Sequence, residues 1–156
     1  MNKAELVTRI LEKLREELRL IEEARAMANE EALPADDIAE SQRENRALEN
    51  QFLVDGQSRI VNELKEAITA YETLPLRTFG PDAPVALTAL VRTRTPEETS
   101  SYFLGPFGGG IEIDDFEGTT VYVITPQSPL GRSLVGKRVG ERIAINGNTV
   151  EIEAIA

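Results

Sequence analysis

Two carboxylates three residues apart, Asp37 and Glu40, are the groups in this chain best spaced to do chemistry. At the start of a helix, positions i and i+3 share a face. Two acidic oxygens there suit a hard cation such as Mg²⁺, which keeps its other sites for water and phosphate. In a two-metal reaction such an ion generates and orients the attacking water while steadying the leaving oxygen. Alone the pair offers too few ligands to make a metalloenzyme. A structural reading competes with this. Asp37 followed by Glu40, just after Pro34, spells a helix N-cap with its capping-box partner, and acids at that end are favoured by the helix dipole. Glu30, Glu31, Asp36 and Glu44 read as a solvated helix face, and Arg43 and Arg46 as bases available for surface ion pairs.

Composition removes most alternatives. The 156 residues include no His, Cys or Trp, so imidazole-based triads, zinc sites on His or thiolate, haem ligation and disulfides are excluded within the chain. With 17 basic and 27 acidic residues the net charge is -10, which disfavours unspecific binding to nucleic acid or anionic membrane. The first residues lack the apolar run of a signal peptide, and no stretch has the ~18 apolar residues of a membrane span. A cytoplasmic protein is expected, and the absence of Cys fits a reducing compartment.

The elements that must position the acids come in two kinds. Residues 3–33 are free of Gly and carry Val7, Leu11, Leu14, Leu18, Ile21 and Ala28 at steps of three and four, a heptad seam broken at Arg25. Leu6, Ile10, Leu20, Ala24 and Met27 broaden the stripe. Residues 37–74 repeat the pattern with Leu53, Ile60, Leu64, Ala67, Tyr71 and Leu74 until Pro75 stops it. The short link at 31–37 makes the two helices antiparallel neighbours, with Gly56 costing the second about 1 kcal/mol relative to Ala. After Pro75 come short apolar runs broken by Gly and Pro, at 85–91, 101–104, 110–113, 119–124, 142–145 and 149–155, which predict strands. Asn146-Gly147 marks a tight hairpin, and Gly108-Gly109-Gly110 marks a turn. Ser128, Pro129 and Gly136 bracket one short helix with Leu130 and Leu134 on one face. The expected fold is α+β, with an antiparallel coiled-coil hairpin over 1–75 and an antiparallel sheet domain with one short helix over 76–156. The acidity concentrates in the first part, which holds 17 acids and 10 bases against 10 and 7 in the second. It peaks at the tip, where no Lys or Arg falls between Asn29 and Gln42.

This organisation resembles the Gre family of bacterial transcription elongation factors. The specific match is Ser128-Pro-Leu-Gly-Arg-Ser-Leu-Val-Gly-Lys137, followed by Val139-Gly-Glu and the last hairpin, which is similar to the family's S-P-x-[AG]-R-x-[LI]-[LIV]-G-K stretch. Glu12-Lys-Leu-Arg-Glu-Glu-Leu18 resembles the family's first helix. The resemblance implies that the C-terminal domain is an FKBP-like sheet holding the outer rim of the secondary channel of RNA polymerase. The coiled coil enters the channel and the tip meets the active site. It assigns polymerase binding to Ser128, Pro129, Arg132, Lys137 and Arg138, with Arg142 in the same basic cluster. Asp37-Ile-Ala-Glu40-Ser-Gln-Arg-Glu44 aligns with the D-L-K-E-N-A-E-Y tip of cleavage-stimulating members. Asp37 and Glu40 thereby become the acids that help hold a second Mg²⁺ at the polymerase site, and Arg43 and Arg46 become candidates for contact with RNA or the channel.

Ala39, Ser41, Arg43 and Glu44 depart from that tip. They point equally to a relative that occupies the channel and modulates or inhibits the polymerase without promoting cleavage. On either reading the factor is no enzyme itself and binds no cofactor tightly, and Mg²⁺ enters only in complex with the polymerase. Nascent RNA is contacted indirectly, and neither a membrane nor a specific DNA sequence is a partner. The third reading is an FKBP-like chaperone or binding module. A proline-binding pocket is poorly supplied, however, because only 5% of residues are aromatic, and Tyr102, Phe103, Phe107, Phe116 and Tyr122 are expected to fill the core.

Overall fold

The computed structural model describes residues 2–30 and 58–156, so the expected tip, with Asp37, Glu40, Arg43 and Arg46, lies outside the described residues, as do Leu53 and Gly56. Helix α1 spans Lys3–Glu30 and helix α2 covers 58–72. The strands are β1 Leu90–Arg94, β2 Thr99–Leu104, β3 Glu112–Phe116, β4 Thr119–Ile124, β5 Arg142–Ile145 and β6 Asn148–Ile155. Helix α3, Pro129–Leu134, comes between β4 and β5. The chain divides into two compact units, Lys13–Thr69 and Met1–Glu12 with Ala70–Ala156.

In the first unit Leu14, Val61, Leu64 and Ala67 are buried. The α2 seam therefore runs through Val61, and the expected Ile60 is 45% exposed. On α1, Leu18 and Ile21 are only half-buried and Ala24 is exposed, while Leu20 and Met27 are 53% and 64% exposed. A 100°-wide stripe cannot take in every apolar residue of a helix with 3.6 residues per turn, so part of the broad stripe is left in water. Arg19 bridges Glu16 and Glu23, both at 2.6 Å, and holds the Glu16 carboxyl below its usual range.

The second unit is built on one six-stranded sheet of order β3-β4-β2-β1-β6-β5. All neighbours are antiparallel except β2 and β4, which pair in parallel. The expected antiparallel sheet thus contains one parallel pair. The chain leaves β2, passes to the sheet edge to form β3, and returns as a hairpin that inserts β4 beside β2. Strand alternation then divides the side chains. Leu90, Ser101, Phe103, Ile113, Val121 and Val123 fall on one face by register, and all are buried. The opposite face carries Val91, Leu104, Ile124, Ile143, Val150 and Ile152, which pack into one core with Phe79, Val85 and the α3 residues Leu130 and Leu134.

The first turns of α1 belong to this unit, with Leu6 and Ile10 fully buried. The Asn2 side chain accepts from the Glu5 amide at 3.1 Å and caps the helix. Lys3 donates to the carbonyls of Arg77 and Thr88 and sits 4.8 Å from the Phe79 ring centroid. Burial, then the nearby Arg77 charge, pushes its pKa down. Arg9 donates to the carbonyls of Asp114 and Asp115, both at 3.2 Å, and lies 5.6 Å from the Phe116 ring centroid. Tyr71, 2% exposed, donates to the Phe107 carbonyl at 2.5 Å.

Two strands shift from their expected places. The run 85–91 is mostly not a strand: Ala89 donates back to Ala86 in a turn, Thr88 adopts φ +73°, and β1 begins only at Leu90. Val85, Thr88 and Ala89 are nevertheless at most 1% exposed, so burial rather than strand pairing explains this apolar stretch. Strand β3 begins at Glu112 instead of Gly110 because the glycine turn extends to Gly110, at φ +98°. The hairpin at Asn146-Gly147 forms as expected, with φ +50° and +80°. Phe103 and Phe116 fill the core, while Phe107 and Tyr122 are 36% and 37% exposed.

Candidate functional site

The stretch 128–142 is the part of the expected site that lies among the described residues, and its geometry follows from local chemistry. Ser128 sits in extended conformation ahead of α3. Its Oγ accepts from the Gly131 amide at 3.0 Å and donates to the Thr125 carbonyl at 2.7 Å. One hydroxyl thus caps the helix and ties it to the end of β4. Pro129 occupies the first turn, where no amide is needed. A Cβ on Gly131 would meet the Thr125 carbonyl oxygen at 1.9 Å, so only glycine lets α3 come this close to the preceding loop. Leu134 is fully buried.

The exit is equally determined. Gly136 takes φ +83°, and its amide donates to Val85 O while Val85 N donates to Lys137 O, both at 2.8 Å. This two-way backbone link fixes Lys137 against the buried 85–89 turn. Arg138 is tied down at both ends, its amide to a Glu141 carboxylate oxygen and its Nε to the Asp82 carbonyl at 3.1 Å.

The structure therefore sorts the expected polymerase-binding residues by role. Ser128 and Pro129 shape the helix, and Arg138 is partly spent on holding the loop. Arg132, Lys137 and Arg142 make no side-chain hydrogen bond or ion pair among the described residues, and Arg132 and Arg142 are exposed while Lys137 is half-buried. Exposed Val135 and Val139, at 41% and 43%, lie between them in sequence. These two valines were missed at the sequence level, where valine reads as core; Val135 is the C-cap of α3 and Val139 lies in the turn ahead of β5. A basic and apolar surface results, suited to an acidic or mixed protein face, and Glu141 is occupied by the Arg138 amide.

A shallow groove of about 630 Å³ borders this region, with Arg94, Arg142, Glu151 and Glu153 among its lining residues. Arg94 and Glu153 form an exposed ion pair at 3.7 Å, and exposed pairs of that length contribute little. Among the described residues no group of three or more acids is arranged to hold a metal, and no helix is long and apolar enough to cross a membrane.

No family model and no curated protein matches the chain. Among solved structures, the chain is similar to GreA factor homolog 1 (Gfh1) of Thermus thermophilus, at 17% identity and TM-score 0.37, covering 96% of this chain and 94% of that one. Gfh1 of Thermus aquaticus gives 17% identity and TM-score 0.38, with 98% and 93% covered. A structure of the transcription factor Gfh1 gives 21% identity and TM-score 0.37, with 97% and 91% covered.

Proposed function

We propose that the chain is a Gre-like factor that binds bacterial RNA polymerase and modulates elongation from the secondary channel. The observation that carries this reading is the stretch Ser128–Lys137. Its resemblance to the family motif extends to one compact device in which cap, first-turn proline, close-approach glycine and left-handed exit are all used, leaving Arg132 and Lys137 free to meet a partner. On this reading residues 76–156 hold the channel rim, and residues 1–75 reach inward as a hairpin. Asp37 and Glu40 are the acids presented to the polymerase site, with Arg43 and Arg46 alongside RNA or channel walls. Their role rests on the sequence resemblance, and Mg²⁺, held jointly with the polymerase, would supply the activated water. The setting is the cytoplasm, where the polymerase works.

The test uses immobilised bacterial RNA polymerase and the full chain. Arg132→Ala/Lys137→Ala should weaken binding about tenfold with the protein still folded, as expected for losing two interface charges; undiminished binding, or none by the wild type, overturns the reading. Backtracked elongation complexes with Mg²⁺ then separate the two outputs. Release of the RNA 3′ fragment by wild type but not by Asp37→Ala/Glu40→Ala supports donated carboxylates. Binding without fragment release makes the protein a non-cleaving regulator, in keeping with Ala39, Ser41, Arg43 and Glu44 at the tip.

A further inference from the structure

The second unit is electrically divided. Arg132, Lys137, Arg138 and Arg142 cluster around α3 and β5, at one end of the strand order, while Glu112 and Asp114 lie on β3, at the other end. On the sheet face that carries α3, that helix packs chiefly on β5, and among the described residues it makes no comparable packing on β2, β4 or β3. There Tyr102 and Tyr122 are directly paired across the parallel strands, their ring centroids 5.9 Å apart and their planes inclined at 35°. Glu112 is the cross-strand partner of Tyr122. Asp114, two residues on, accepts from the Thr120 hydroxyl at 3.2 Å. Glu98 is close enough to add to the burial that pushes the Tyr102 phenol up.

Three carboxylates thus flank two adjacent, mutually tilted phenol rings, and Glu98, Glu112 and Asp114 form no ion pair among the described residues. A polar notch of about 420 Å³ adjoins Tyr122 at the edge of this face, lined by Glu98, Glu117 and Thr120 and, from the opposite face, by Thr119. Arg92 also lines it, but by register that residue belongs to the opposite face, and its Nε is enclosed without a hydrogen-bond partner among the described residues. Arg9, the other nearby base, is occupied by the Asp114 and Asp115 carbonyls and the Phe116 ring.

We propose that this acidic, tyrosine-bearing sheet face is a docking surface for an arginine-bearing segment of a partner protein. A guanidinium stacks flat on an aromatic ring while its edge donates to carboxylates, and here ring and acids share one face. The surface is separate from the basic one around α3, so its occupant and the polymerase contact proposed above stand or fall independently.

The test is titration of the full chain with a capped peptide of three arginines spaced by glycines, and with its lysine counterpart, at about 0.15 M salt to screen long-range attraction. The arginine peptide should bind about threefold more tightly than the lysine peptide. Tyr122→Ser and Glu112→Gln should each weaken it about threefold, the effect of losing one exposed cation–π or ionic contact. Tyr122→Phe, which keeps the ring, should stay within about twofold. Glu17→Gln removes the same charge from α1 and should leave affinity unchanged. Equal losses in Glu112→Gln and Glu17→Gln, or full affinity in Tyr122→Ser, would show attraction to net charge alone and overturn the proposal.

Discussion

The contact between Gly105 and Tyr71 supports a quantitative prediction. Tyr71 is nearly fully buried, and its hydroxyl donates to the Phe107 carbonyl at 2.5 Å. A Cβ on Gly105 would stand 1.9 Å from that hydroxyl oxygen, but 3.0 Å from the ring carbon Cζ and 3.2 Å from Phe107 O. Gly105→Ala must therefore expel the hydroxyl or distort the loop, at a cost near the upper end of the 1–3 kcal/mol typical of overpacking, about 3 kcal/mol. Tyr71→Phe loses one hydrogen bond and leaves a buried carbonyl, about 1.5 kcal/mol. In the double variant the clashing atom is already gone, and only the tight Cζ contact remains. The second substitution should then add about 1 kcal/mol in place of 3, a coupling of about 2 kcal/mol. Urea denaturation of the four proteins, followed by circular dichroism, measures it. Additivity to within about 0.5 kcal/mol would refute the argument that the hydroxyl and the glycine occupy one space.

Other consequences are simpler to state. Ser128→Ala removes the α3 cap and the Thr125 tie together and should cost about 1–2 kcal/mol, read as a lower urea midpoint with unchanged slope; an unchanged midpoint would mean that water replaces the hydroxyl at no loss. Burial raises the Tyr71 pKa above its ordinary value of 10.0, so above about pH 10 the unfolded chain releases a proton that the native state retains, and stability falls with rising pH. Tyr71→Phe should lose less stability than wild type over that range, although Tyr102 keeps some of the slope in both; parallel pH profiles would contradict this. Gly147→Ala places a Cβ at φ +80° and should cost about 1 kcal/mol by thermal unfolding even though open space surrounds it. No loss would show that the hairpin turn relaxes to another type.

Some of this was legible in the sequence because local chemistry decided it. Ser128, Pro129 and Gly136 bracket α3 through capping, a fixed φ and a left-handed exit, each a property of one residue type. Asn146-Gly147 is similar. The seam of α1 was visible as a period, but the choice of its buried members was not: Leu6 and Ile10 are buried by elements far away in the chain, whereas Leu20 and Met27 have the same period without the same cover. Val85–Ala89 misled for the same reason, since apolarity records burial and says nothing of pairing. Tyr102 and Tyr122 stand side by side only because β4 inserts next to β2 in parallel, an order that nothing local in either strand specifies. The bases at 132–142 were visible in the sequence as a cluster, but their division into free and engaged members needed the Asp82 carbonyl and the Glu141 carboxylate in place.

The physical content of the Ser128–Lys137 stretch also limits what its resemblance can carry. Four of its positions are explained without any partner: a cap, a proline, a glycine with a carbonyl 1.9 Å from where its Cβ would be, and a glycine at φ +83°. Leu134 is explained by the core. A protein with this turn and no polymerase to bind would keep all five. On the proposed function, contact with the polymerase falls to positions that folding leaves open, Arg132 and Lys137, together with Val135. Substituting the five should act through stability and substituting the three through affinity. Affinity that follows folding alone, with Arg132→Ala/Lys137→Ala binding as wild type does, would reduce the stretch to a feature of the fold.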